Sequence, residues 1–86
     1  MIQIKLTNGQ IFEVQWIGVS NIDGVLRFAV LNSNLADIIQ AFTVSDNCTE
    51  IVRTFDETEF IYEGYTIFRG VQINYDGSAI VSLSKI

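Results

Sequence analysis

The sequence predicts an α+β domain of mostly antiparallel β-structure: about seven strands in the order β-β-β-α-β-β-β-β, with one short helix packed on the sheet. Two observations carry this. Thr7-Asn8-Gly9, Ile22-Asp23-Gly24 and Tyr75-Asp76-Gly77 each separate runs in which apolar and polar residues alternate, the signature of β-hairpins. One stretch, Asn34 to Phe42, abandons that period. There Leu35, Ile38, Ile39 and Phe42 recur at i, i+3, i+4 and i+7, an apolar stripe along a helix.

Side-chain parity selects the turn type, because a one-residue slip sends every side chain to the opposite face. A two-residue Asn8-Gly9 loop sets Ile4 against Glu13 and Lys5 against Phe12. A three-residue loop sets Ile4 against Phe12, Ile2 against Val14 and Gln3 against Glu13, which separates core from solvent. The same test on the second turn sets Trp16 against Val30, Gly18 against Phe28 and Ser20 against Leu26. On the third it sets Val71 against Val81, Ile73 against Ala79 and Arg69 against Leu83. The first third thus reads as a three-stranded meander over 1–6, 10–20 and 25–31. Its core face carries Ile2, Ile4, Leu6, Phe12, Val14, Trp16, Leu26, Phe28 and Val30.

The opposite face is not cleanly polar. Ile11, Ile17, Val19, Val25, Ala29 and Leu31 share it with Glu13, Gln15 and Arg27, whereas a sheet with one wet side alternates more strictly. Something is expected to cover it, so Ile11, Ile17, Val19, Val25 and Leu31 form a candidate interaction face.

The helix is expected to start at Asn32, Ser33 or Asn34, all good N-caps, with Asp37 near the positive end of the dipole. It is too short to be stable without a surface to pack on. Beyond it, 48–55 and 59–62 read as strands around an Asp56-Glu57-Thr58 turn, whose lack of glycine leaves its register open. Gly64 suggests a bulge or bend. Strands over 65–74 and 79–84 close the chain. The later strands could face the first sheet or extend it.

Eighty-six residues suit one domain over 1–86. Hydrophobic residues make up 49% and charged residues 17%, more apolar surface than so small a domain readily hides. Proline is absent, which removes a common device for blunting sheet edges. Both features point to association with other protein surfaces, including further copies of the chain, so a homo-oligomer is expected. Net charge is −5, with −1 on residues 1–44 and −4 on the remainder. Neither part offers the basic stripe that nucleic acid or anionic lipid requires. No apolar run approaches membrane-spanning length, and the alternating N-terminus is not a signal-peptide core. The single cysteine, Cys48, cannot form an internal disulfide and fits a reducing compartment, or one where redox state is irrelevant; synthesis in the cytoplasm is expected.

No histidine is present, which removes His-based triads, proton shuttles and metal sites. Cys48, flanked by Asp46 and Glu50, is a poor nucleophile, since nearby acids raise a thiol pKa. Asp56, Glu57, Glu59 and Glu63 are the densest acidic group. Their spacing is not that of a calcium loop, and Glu57, Glu59 and Glu63 would share a solvated strand face. Asn21-Ile22-Asp23-Gly24 and Asn74-Tyr75-Asp76-Gly77 are ordinary hairpin loops. No glycine-rich phosphate loop is present. No catalytic residue, cofactor or metal is expected, and the protein reads as not an enzyme. The late aromatics, Phe55, Phe60, Tyr62, Tyr65, Phe68 and Tyr75, suit a strand core. Tyr62, Tyr65 and Phe68 are the alternative: a stacking platform for a small ligand or carbohydrate.

Three runs carry a family likeness: 42–51 (Phe-Thr-Val-Ser-Asp-Asn-Cys-Thr-Glu-Ile), 62–66 (Tyr-Glu-Gly-Tyr-Thr) and 81–85 (Val-Ser-Leu-Ser-Lys). With the opening Met-Ile-Gln-Ile-Lys-Leu-Thr-Asn-Gly, the chain resembles small acidic proteins encoded among the structural genes of tailed bacteriophages and prophages. The resemblance implies a tail- or virion-associated role and carries over no catalytic residue. The expected function is therefore a non-enzymatic structural or adaptor module that acts by self-association or docking.

Overall fold

Alternation and turn chemistry produce eight strands among the described residues, in a computed structural model that describes residues 2–43 and 50–85. The strands are β1 (Ile2–Leu6), β2 (Ile11–Val14), β3 (Trp16–Val19), β4 (Leu26–Leu31), β5 (Glu50–Phe55), β6 (Thr58–Glu63), β7 (Ile67–Ile73) and β8 (Ser78–Ser84). A 3-10 turn (Asn32–Asn34) leads into the one helix, α1 (Leu35–Thr43). The α+β class stands. The strand count is eight rather than about seven because the expected second strand, 10–20, bends at Gln15 and becomes β2 and β3.

That bend decides the architecture. β2 stays beside β1, while β3 enters a second sheet. The sheets run β2-β1-β5-β6 and β3-β4-β8-β7, all antiparallel. Each is made of one hairpin from before the helix and one from after it. They share a single core, in which Ile4, Leu6, Phe12 and Ile51 of one sheet meet Leu26, Phe28, Val30, Val81 and Leu83 of the other.

Two turns have the expected register. Ile4 lies opposite Phe12 and Ile2 opposite Val14; Val71 lies opposite Val81 and Ile73 opposite Ala79. Each loop closes with a glycine in the left-handed region, Gly9 at φ +92° and Gly77 at φ +88°, where a Cβ is costly. Arg69 does not face Leu83. A bulge between Phe68 and Gly70 sets Phe68 there instead.

The second turn differs from the expectation. Trp16 faces Ala29, Ile17 faces Phe28 and Val19 faces Leu26, one step off the parity reading. The loop has four residues, 21–24, closed by Ser20 N–H to Val25 O (3.1 Å) and Gly24 N–H to Ser20 O (2.9 Å). The cause is the bend at Gln15. Passing from one layer to the other reverses which parity points inward, so Ile17 packs against the core while Trp16 faces out, 42% exposed.

Three of the four stripe residues are as expected: Ile38 and Phe42 are buried and Leu35 packs against the core, with α1 seated against β7. Ile39 is only half-buried, and Ala41 is buried in addition. The Asn32–Asn34 segment expected to cap the helix forms a 3-10 turn leading into α1, and the N-cap of that turn is Leu31, with no side-chain hydrogen bond. Cys48 and the strand start expected there lie outside the described residues.

A cationic, aromatic cleft beside a free sheet edge

The β5–β6 hairpin turns through Asp56 and Glu57, both left-handed at φ 51° and 65°, with Phe55 opposite Thr58. This is the geometry of a two-residue type I′ turn, made without glycine. It answers the open register: Arg53 faces Phe60 and Ile51 faces Tyr62. In such a hairpin the flanking pair exchanges both hydrogen bonds, and bonded pairs then alternate. Thr58, Phe60 and Tyr62 therefore bond to β5, and the backbone N–H and C=O groups of Glu59, Ile61 and Glu63 point away from it. Among the described residues no strand pairs with that side of β6.

Beside this edge lies a cleft of about 410 Å³, lined by Phe60, Ile61, Tyr62 and Glu63 of β6 together with Val19, Arg53, Tyr65 and Lys85. Its aromatic rings form a connected set. Phe60 and Tyr62 have centroids 4.8 Å apart, and Tyr62 and Tyr65 meet edge-on at 6.3 Å. Two cations lie over these rings: Arg53 Cζ is 5.4 Å from the Phe60 centroid and Lys85 Nζ is 4.9 Å from that of Tyr65, within cation–π range. The ion pair found among the described residues is elsewhere, Arg27 to Asp23 at 3.0 Å. Arg53 Nε is buried without a hydrogen-bond partner. A chain of net charge −5 thus gathers two of its five cations in one cleft, neither of them in an ion pair among the described residues.

Of the three alternative ligand aromatics, Tyr62 and Tyr65 belong to this cleft. Phe68 does not: it packs against the core, opposite Leu83. Arg53, Lys85 and Phe60 were not singled out from sequence as a set. The signal for Arg53 was its parity, for it shares the inward face of its strand with buried Ile51.

The candidate interaction face is dispersed. Ile11 lies on the first sheet, exposed opposite Lys5. Ile17 faces the core, and Val25 is a half-buried residue next to the β3–β4 loop. Val19 lines the cationic cleft, whereas Leu31 lines a different one, with Ile2, Val14, Val30 and Phe55. Val19 pairs with Leu26, and Leu31 lies five residues farther along β4, about 17 Å away. The five residues do not form one surface, because the meander that would have aligned them divides at Gln15.

The acidic residues have turn and surface roles. Asp23 accepts from Arg27 and from Val25 N–H (3.0 Å each). The Arg27 guanidinium beside it, with the Val25 bond, lowers its pKa from 3.8 to about 2. Asp76 accepts from the Ser78 hydroxyl and from Ser78 N–H, which hold its carboxyl below the ordinary value. Glu59 and Glu63 share the outer face of β6 with Ile61. Among the described residues no three Asp, Glu or Cys side chains come close enough to hold a metal, and no helix is long and apolar enough to cross a membrane. Compared with protein-family models, curated proteins and solved structures, the chain has no match.

Proposed function

We propose that this protein is a non-enzymatic docking module of a larger assembly, engaging protein partners through the open β6 edge. The observation that carries this is the edge itself: an antiparallel strand paired on one side, with Phe60 and Ile61 each 50% exposed on its two faces. Such an edge is a template for strand addition, and β6 has neither proline nor lysine to discourage it. The resemblance to phage and prophage structural proteins supports a tail or virion as the assembly. A further copy of the chain, bound through another apolar patch, is one candidate neighbour.

Residue-resolved hydrogen exchange, with light scattering to fix the oligomeric state, tests the reading. In the monomer the amides of Glu59, Ile61 and Glu63 should exchange freely while those of Thr58, Phe60 and Tyr62 are protected. Association should then slow the first three. Protection of all six in a strict monomer would mean that the edge is already closed, and the proposal would fall.

A second reading, a small-ligand or carbohydrate site, is favoured by the Tyr62–Tyr65 contact in the cleft. A thermal-shift screen of sugars and aromatic acids separates the two. Reproducible stabilisation lost in Tyr62→Ala favours the ligand site.

A further inference from the structure

The charges around β6 say what kind of strand fits it. Pairing with a second β6 is disfavoured. In an antiparallel pair, residues facing each other project to the same side, so two copies related by a two-fold axis pair odd with odd and even with even. Centring on Ile61 sets Glu59 against Glu63 of the second copy, twice. Centring on Phe60 sets Glu59 against Ile61, twice, with no opposite charge to meet it. Like charges directly opposite are destabilising, so the first register is penalised and the second leaves every glutamate without a counter-charge.

The outer side chains of β6, Glu59, Ile61 and Glu63, therefore match a strand reading cation, apolar, cation at alternate positions. The inner side is the opposite in sign. There Arg53 reaches over Phe60 toward the free edge, its Nε buried and unpartnered, and Lys85 stands over Tyr65 in the cleft. An inward side chain beside Phe60 meets aromatic rings and two cations. Arg53 Nε–H lacks an acceptor, and a carboxylate there supplies one in a charge-assisted hydrogen bond.

Resting on the docking reading above, we infer that the partner of β6 is an extended segment of a different chain. Its outward residues alternate Lys or Arg with an apolar residue, and it projects one carboxylate side chain inward between Arg53 and Lys85. The backbone groups of Glu59, Ile61 and Glu63 provide affinity, and the two-sided charge pattern provides specificity.

The probe is the synthetic peptide acetyl-Lys-Val-Val-Glu-Lys-Thr-amide, followed by amide chemical shifts and hydrogen exchange. It should shift and protect Glu59, Ile61 and Glu63. Replacing its glutamate by glutamine should weaken binding about fivefold, and replacing both lysines by glutamate should weaken it more than that. On Arg53→Gln the preference for the glutamate over the glutamine peptide should shrink, with Lys85 left as the one cation in the cleft. Lys85→Gln, an exposed position, gives the same comparison if the arginine variant folds poorly. Equal binding of the glutamate and glutamine peptides to the unaltered protein overturns the inward carboxylate and leaves edge docking standing. Equal binding of the lysine and lysine-to-glutamate peptides overturns the outward pattern. No peptide effect on an edge shown by exchange to be open overturns the whole inference, whereas an edge already closed in the free monomer overturns the docking reading beneath it.

Discussion

β8 and β6 are antiparallel strands of seven and six residues, and they meet opposite fates. β8 reads Ser-Ala-Ile-Val-Ser-Leu-Ser and has no exposed residue; β6 reads Thr-Glu-Phe-Ile-Tyr-Glu and exposes five of its six. By composition β6 is the better strand, richer in aromatic and β-branched residues. Its exposure comes from position in the ladder. β8 lies between β4 and β7 with the core on one face, whereas β6 ends its sheet. In these two strands, burial follows neighbours more than residue type, and Phe60 and Ile61 are left exposed at an edge.

The contrast can be broken most sharply by truncating one phenylalanine on each side of it. Phe28, fully buried opposite Val81, should cost about 3–5 kcal/mol as Phe28→Ala. Phe60→Ala should cost less than about 1 kcal/mol. Urea unfolding of both variants checks the difference, and similar losses would mean that β6 is covered.

Proline gives the next largest effect. Val81 has strands on both sides, so Val81→Pro removes a ladder hydrogen bond and strands a carbonyl, at about 2–3 kcal/mol or more. Ile61→Pro loses only an outward N–H, the setting in which edge strands accept proline. Circular dichroism melts should show a near-native Tm for the second variant alone.

The turn that creates the edge can be improved. Glu57 occupies the left-handed region at a cost that glycine avoids, so Glu57→Gly should stabilise by about 1 kcal/mol and raise Tm, with the β6 amides still exchanging freely. The smallest effect is at Asp23. Its pKa lies near 2 in the folded chain against an ordinary 3.8. The ionised form is thus the one the fold favours: the contribution is present above about pH 4 and is lost as pH falls through about 2. A carboxyl titration by NMR should show this, and Arg27→Gln should return the midpoint toward 3.8.

Legibility followed the range of the interactions. The Thr7-Asn8-Gly9 and Tyr75-Asp76-Gly77 turns could be placed in register because a tight hairpin is set by its own few residues and by the alternation beside it. The same test failed at Ile22-Asp23-Gly24, although the local signal was as strong. It assumed that Val14 and Trp16, two apart, face the same way, and the bend at Gln15 separates them. Of the cleft, Tyr62 and Tyr65 could be named from sequence, together with Phe68, which packs against the core instead. Arg53, Lys85 and Val19 join them from three other places in the chain, and only strand order brings those together.

By itself the sequence determined the hairpins, the one helix and its buried stripe, because each depends on side-chain period and turn chemistry within a dozen residues. Tertiary structure alone decided that one expected strand serves two sheets, that Trp16 faces outward, and that β6 is left as an edge with two cations in the cleft beside it. Those outcomes depend on which hairpin lies beside which, and that choice is made by burying one shared core rather than by any local run of residues.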